Sequence, residues 1–321
     1  MGIEVSRVLV TGALGQIGSE LTPKLKQVYG RENVVASDIR MPDDDYSVVF
    51  EILDVTKPED IEKIVKEYEI DTIVHLAAIL SATGERNPDL AWQINVEGLK
   101  NILNVARDLD LTRVFNPSSI AAFGPETPGD QTPQNTIQRP KTIYGISKVV
   151  GELLGNYYFE KYGVDVRGAR LPGVISNVAP PGGGTTDYAV EIFYEAIKDK
   201  KYTCFLRDDT VLPMIYMPDC LNAFIKLLNA ELADLTHHCD YNLAAISFSP
   251  SELVSEIKTH ISEFEIVYKP DYRQAIADSW PRSIDDSISR EDWGWEPAYD
   301  LPKMVADMYR VLVKRYVNGE L

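Results

Sequence analysis

In the first half of the chain, short β-branched apolar runs alternate with stretches of helical spacing, the rhythm of right-handed βαβ units on a parallel sheet. RVLVTGA at 7–13 reads as the first strand and 16–29 as the helix after it. Further strands are read at 33–39, 50–55, 72–78, 113–119 and 166–174, with helices at 58–68, 88–109 and 144–162. The strand runs are apolar almost throughout, so helices are expected on both sheet faces. After about residue 175 the rhythm changes. A Pro/Gly/Thr stretch at 179–189 leads into short strands (YTCFL, LPMIY, YNLAAI) mixed with helices near 187–199, 218–230, 251–261 and 302–316. The pattern predicts an α/β fold: a Rossmann-type doubly wound parallel sheet over 1–175, and a smaller C-terminal α+β substrate lobe over 176–321. Some segments of that lobe are expected to return to the first domain.

Composition narrows the function classes. The 321 residues are 45% hydrophobic, enough for a substantial core, and 32 Lys plus Arg against 49 Asp plus Glu leave a net charge of −17. Such a surface repels polyanions, which argues against nucleic acid and acidic lipid as partners. No run reaches the length of a membrane span, and MGIEVSRVLVTG enters a strand pattern at once, so a soluble, cytoplasmic protein is expected. Cys204, Cys220 and Cys239 are widely spaced, and the four histidines lack metal-ligand spacing, so no metal site is expected.

Gly12, Gly15 and Gly18 form TGALGQIG between the first strand and the first helix. Glycines there let the backbone approach a pyrophosphate, to which the helix N-terminus presents free N–H groups. Asp38 ends the second strand about 20 residues further on, where a ribose-binding acid belongs. Its carboxylate would accept from both adenosine ribose hydroxyls and repel a 2′-phosphate, which favours NAD over NADP. Arg40, two residues on, is placed to receive such a phosphate, and Asp38 also suits a plain strand-end turn. Asp54 and Val55 close the third strand on the same sheet edge, near an adenine. Leu76, Ala77 and Ala78 close the fourth, where small side chains either leave room for the cofactor or pack strand against helix.

The chemistry is read at Tyr144 and Lys148, four residues apart on one helix face, where an ammonium is expected to lower the phenol's pKa. A phenolate can then take the proton of a substrate alcohol. The Tyr-x-x-x-Lys spacing occurs four times, at Tyr144/Lys148, Tyr157/Lys161, Tyr194/Lys198 and Tyr299/Lys303. Position selects the first, because it alone follows a strand ending in hydroxyl residues, and Ser119 from that strand is expected to orient the reacting oxygen.

Together, TGALGQIG, Asp38, HLAA, PSSIAAFG, YGISK and LPGVI resemble the extended short-chain dehydrogenase/reductase superfamily along essentially the whole chain. LSATGERNP, IQRPKTIYGISK, PGGGTTDYAVEIF and IADSWPRSIDD are more specifically similar to the L-threonine 3-dehydrogenases of short-chain type. That resemblance implies NAD-dependent oxidation of the β-hydroxyl of L-threonine to 2-amino-3-ketobutyrate, with Tyr144 as base, Lys148 lowering its pKa and holding the nicotinamide ribose, and Ser119 positioning the alcohol. It adds Leu14, Gln16, Ile17, Ile39, Asn95, Pro117, Leu171, Pro172, Gly173 and Val174 to the cofactor set. Ser81, Thr185, Thr186 and Trp280 are implied around the substrate, although the first three also suit turn or helix caps and Trp280 a core anchor. No basic clamp for the substrate carboxylate is evident.

A substrate this small offers little binding area, so loops 80–86 and 179–187 are expected to close over it, with glycines 182–184 as hinge. The helices at 88–109 and 144–162 carry apolar residues on more than one face, and the resemblance implies that they pair into a four-helix bundle in a homodimer. Two other functions stay open: a nucleotide-sugar epimerase or dehydratase, which needs a basic cleft for a diphosphate, and a non-catalytic dinucleotide-binding regulator, which has no use for Ser119, Tyr144 and Lys148.

Overall fold

The computed structural model describes residues 5–43, 46–180 and 182–321; of the segments singled out above, Pro181 in the 179–189 stretch lies outside the described residues. All four residues of β1 (Val8–Thr11) are buried, as an apolar run between two helical layers requires. β2 (Val34–Asp38), β3 (Val49–Ile52), β4 (Thr72–His75), β5 (Arg113–Phe115) and, after the short β6 (Ser118–Ser119), β7 (Val166–Arg167) complete the central sheet. Its order is β3-β2-β1-β4-β5-β7 with every pair parallel. The winding reverses between β1 and β4, and the crevice at such a point is where open α/β sheets bind ligands.

Two of the long apolar runs divide. Residues 113–119 break at Asn116-Pro117, and 166–174 splits into β7, β8 (Ala169–Leu171) and β9 (Gly173–Ile175). A Cβ at Gly168 would stand 2.2 Å from the Asn116 carbonyl oxygen, so the chain can pass there only as glycine. The breaks send strands to different sheets. β6 and β8 pair with each other in parallel, and β9 leaves for the second lobe.

The predicted helices appear as α1 (Gly18–Tyr29), α2 (Pro58–Glu67), and, ahead of the third, an unpredicted α3 (Ser81–Arg86). The segment 80–86, expected as a loop, is therefore largely helical. The 88–109 helix is α4 (Pro88–Trp92) continuing through a π-helical turn (Gln93–Gly98) into α5 (Leu99–Asp108), and α6 (Ile143–Tyr162) follows.

The second lobe gathers α7 (Tyr188–Lys198), β10 (Lys201–Cys204) and β11 (Leu212–Tyr216), then, beyond α8 (Met217–Asn229) and β12 (Tyr241–Asn242), β13 (Ile246–Phe248), α9 (Pro250–Ile257) and β14 (Glu265–Tyr268). The short helices α10 (Arg273–Ala277) and α11 (Ser287–Trp293) were not predicted by periodicity, and α12 (Leu301–Val317) closes the chain. Tyr188, Phe193, Phe248, Met304 and Met308 centre this lobe's core. α8 and β12 go elsewhere. Phe224 of α8 packs on Phe115 at 4.5 Å between ring centroids, and β12 pairs with β8. The buried Arg167, paired with Asp165, donates to the Leu227 and Ala230 carbonyls at 2.7 Å, and so caps α8 against the first lobe. No helix among the described residues is long and apolar enough to cross a membrane.

Candidate active site

The turn after β1 is built from backbone. Gly12 has φ +68°, and a Cβ on it would stand 2.7 Å from the Ala77 nitrogen, so β1 meets the end of β4 only with glycine there. At Gly18 a Cβ would lie 2.3 Å from the Gly12 carbonyl oxygen, which fixes how tightly α1 starts on the turn. Gly15 differs: a Cβ there would meet only the Gly12 oxygen, at 3.2 Å, and otherwise points into open space. α1 has no side-chain cap, so its first N–H groups are left for a ligand. The Asp38 carboxylate is held by the Leu14 N–H at 3.1 Å, at the mouth of the same turn. An open glycine face, an uncapped helix and a fixed carboxylate fit the diphosphate and ribose of a dinucleotide.

A cavity of about 220 Å³ joins this turn to Ser119, Tyr144 and Lys148. Gly12, Gly15, Gln16, Ile17, Gly18, Leu76, Ala78 and Pro117 line it, as do Leu171, Pro172, Gly173 and Val174. Ser119, Tyr144 and Lys148 stand at its centre, and Ser81, Thr185, Thr186 and Trp280 at its far end. α6 carries two of these residues: Thr142 caps it by accepting from the Gly145 N–H, so Tyr144 sits in the first turn and Lys148 one turn later. A Cβ at Gly145 would stand 2.2 Å from the Ala121 oxygen, and this close approach sets α6 against the Ser119 turn.

The electrostatics differ from expectation in one respect. Tyr144 is partly buried at the cavity wall, and desolvation pushes its phenol up to about 12, with its contact to Ser119 pulling the other way. Lys148 does not bring the phenol down in this state. Its ammonium lies 5.4 Å from the Tyr144 ring centroid and donates instead to the Pro117 carbonyl at 2.7 Å. Burial pushes Lys148 itself down to about 8, opposed by the Glu152 carboxylate. His75, below them, is held neutral at about 3 by burial and by the charge of Lys148, and bonds Thr11 at 2.8 Å.

Apart from Leu80 and Ser81, the far end comes from the second lobe. Thr185 is buried, and its hydroxyl has no hydrogen-bond partner among the described residues although it lines the cavity. A buried orphan hydroxyl is costly, and its position facing the cavity suits a bound polar group. A Cβ at Gly173 would stand 2.7 Å from Thr186 Cβ, so glycine there lets the 184–187 segment close on β9. Asp187, which sequence reading missed, lines the same cavity and accepts from the Gly183 and Gly184 N–H groups at 2.7 Å each. Its carboxyl is raised by burial against those bonds. Leu80, Ser118 and Ile120 also line the cavity without having been named as site residues, and Gly184 of the expected hinge joins them. A Cβ at Gly182 would stand 3.3 Å from Leu80 Cδ1 and one at Gly183 3.6 Å from Thr83 Oγ1, so the two expected covering segments meet above the cavity.

Not every expected cofactor residue reaches it. Leu14, Asp38, Ile39, Arg40, Asp54, Val55, Ala77 and Asn95 do not line this cavity. Ile39 and Arg40 are exposed beyond Asp38. Asp54 accepts from the Thr56 N–H (3.0 Å) and hydroxyl (2.7 Å), which is a turn cap, and the buried Val55 packs against Gly98. Asn95, turned inward by the π-helical turn, bonds both backbone groups of Ile79 (2.8 and 3.0 Å) and Ser147 (3.2 Å), holding the chain after β4 to α6.

Residues 8–244 match the NAD dependent epimerase/dehydratase family. The chain belongs to that family. Its members are extended short-chain dehydrogenase/reductases, its cofactor is NAD, and this chain is an oxidoreductase. It is 50% identical over 318 residues to an uncharacterized epimerase/dehydratase of Staphylococcus haemolyticus, covering 98% of this chain and all of that one. Among solved structures it is similar to an L-threonine dehydrogenase from Clostridium difficile, at 50% identity, 98% and 99% coverage of the two chains and a TM-score of 0.95. A monomeric L-threonine 3-dehydrogenase from a metagenome is 49% identical, with 96% and 99% coverage and a TM-score of 0.93.

Proposed function

We propose that the protein is an L-threonine 3-dehydrogenase, oxidising the β-hydroxyl of L-threonine to 2-amino-3-ketobutyrate with formation of NADH, in threonine breakdown in the cytoplasm. One observation carries the reading: the charged residues lining the cavity, among those described, are Lys148 and Asp187, and the rest of its far end is hydroxyls and Trp280. A zwitterion of a few heavy atoms suits such a site, whereas a nucleotide-sugar diphosphate would need cations that it lacks. The near-50% identity to L-threonine dehydrogenases supports the same reading.

The roles follow from placement. Tyr144 takes the hydroxyl proton, Ser119 donates to the same oxygen and orients it, and Lys148 favours the tyrosinate by its charge. Bound NAD supplies the hydride acceptor. Asp187 accepts from the substrate ammonium, and the Thr185 hydroxyl, with Ser81 and Thr186, donates to its carboxylate. Residues 80–86 and 182–187 exclude water above the reacting carbon. The test is NADH formation with L-threonine and, separately, with UDP-galactose. Threonine-dependent NADH is expected; turnover of the nucleotide sugar without threonine oxidation would overturn the assignment.

A homodimer through α4–α5 and α6 belongs to the same proposal. Leu90, Trp92, Ile146, Leu153 and Tyr157 on these helices are exposed. Sedimentation at micromolar concentration is expected to give twice the chain mass, and a single monomeric species would remove this part.

A further inference from the structure

Behind the catalytic residues lies a charged pair that does not line the cavity. Glu152 and Arg170 are both buried, and the Arg170 guanidinium donates two hydrogen bonds to the Glu152 carboxylate, at 3.0 and 2.9 Å. Taking two charges out of water is unfavourable unless their remaining hydrogen-bonding positions are also satisfied. Here they are. Glu152 also accepts from the Ser118 hydroxyl and from Gln138 Nε2 (2.7 Å), while Arg170 donates to the Gln134 carbonyl (2.9 Å) and Asn242 Oδ1 (3.0 Å) and lies over the Phe123 ring. For packing alone, apolar residues of the same volume would serve as well or better. The charges need another explanation, and their position offers one.

Glu152 stands one helical turn beyond Lys148 and two beyond Tyr144, on the same face of α6. β6 and β8 pair in register, with Ser118 opposite Arg170 and Ser119 opposite Leu171. One carboxylate therefore joins the helix that carries Tyr144 and Lys148 to both strands that carry Ser119 and Leu171. The bond that the Ser119 hydroxyl makes to the Ala121 N–H (3.2 Å) stays within its own turn and cannot set its distance from α6. Lys148, from the same helix face, holds the same segment through the Pro117 carbonyl. Glu152 is also the anion facing Lys148, which otherwise meets neutral His75 from β4 and Tyr144 from its own helix.

We infer that the Glu152–Arg170 pair is a positioning unit for the reaction, clamping α6 to β6 through the Ser118 hydroxyl so that Ser119 and Lys148 keep their places beside Tyr144. It rests on the roles of Ser119 and Tyr144 proposed above, and neither member of the pair touches substrate.

Two variants test it. Glu152→Gln keeps the shape and removes the charge; Ser118→Ala leaves the ion pair whole and cuts only its link to β6. With NAD bound, Glu152→Gln is expected to lower kcat about 30-fold and Ser118→Ala about fivefold, with KM for threonine and NAD within about threefold of wild type. The double variant should be no slower than Glu152→Gln, because both act through one link. Amide exchange in segments 118–123 and 143–149 should quicken in Ser118→Ala while the melting temperature stays near wild type. If Glu152→Gln fails to fold, Ser118→Ala decides the matter. Wild-type kcat together with wild-type exchange in Ser118→Ala overturns the proposal, as does a loss carried by KM. The exchange readout needs no substrate. A wild type that cannot oxidise threonine would therefore refute the functional reading, and exchange alone would then decide the clamp.

Discussion

The two ends of the cavity are made of different material. At the cofactor end the contacts are backbone: two glycines where a Cβ would collide with main chain, one glycine open to the ligand, an uncapped helix and a single carboxylate. At the substrate end they are side chains brought from α3, the segment before α7 and the segment before α11, among them a buried hydroxyl without a partner. Backbone sites depend on local spacing and tolerate few substitutions. Side-chain sites depend on how distant segments meet, and each group can be removed with the rest left in place.

That contrast predicts a gradient of effects. The largest belongs to Gly18→Val, whose Cβ would sit 2.3 Å from the Gly12 oxygen and 2.7 Å from Ala13 Cα, both main-chain atoms that cannot swing aside. A stability loss of about 3 kcal/mol or more and NAD affinity down by over about 100-fold are expected, from thermal melts and cofactor titration. A variant that binds NAD normally would show the turn to be more pliable than its packing implies. Asp38→Ala comes next. NAD should weaken about 30-fold, as for a lost charged hydrogen bond, and NADP should gain relative to it. NADP preference in the unmodified protein would contradict the role given to this carboxylate.

The pH profile probes the junction of the two ends. In the proposed mechanism the reactive form is tyrosinate beside ammonium, while the desolvated phenol lies near 12 and the desolvated amine near 8. With those values the tyrosinate–ammonium form is a fixed minor share of the singly deprotonated state. That state grows about tenfold per pH unit until roughly pH 8 and then levels off, so kcat is expected to climb from pH 6 to 8 and stay flat from 8.5 to 10. A profile falling above pH 7 would contradict this coupling. The smallest effect is that of Thr185→Val. KM for threonine should rise about fivefold with NAD affinity unchanged and stability no lower, because a buried hydroxyl without a partner is removed. Loss of NAD affinity in this variant would erase the distinction between the two ends.

The same contrast sets what could be read from sequence. The glycine turn, Asp38 and the Tyr144/Lys148 helix were legible because each lies within one βα unit or one helix face. The breaks at Pro117, Gly168 and Pro172 were not. An apolar run looks continuous until tertiary pairing sends β5 and β6, or β7, β8 and β9, to different sheets. α3 was hidden as a six-residue helix with no side-chain cap and three small residues, Ser81, Ala82 and Gly84. Asp187 has the composition of an ordinary helix-start acid, and only its burial at the cavity marks it out. The inward turn of Asn95 depends on the π-helical step, which shifts the 3.6-residue period used to read the helix. Tyr144 was found by spacing, but its elevated pKa reflects desolvation by the segments folded around it, which spacing does not report.

The central claim is tested most directly by measuring NADH formation from L-threonine with the unmodified protein and with Tyr144→Phe, recording NAD affinity on the same samples. The account predicts threonine-dependent NADH from the unmodified protein, reduced about a thousandfold by the substitution while NAD binds within about threefold. Equal turnover by the two proteins would contradict it.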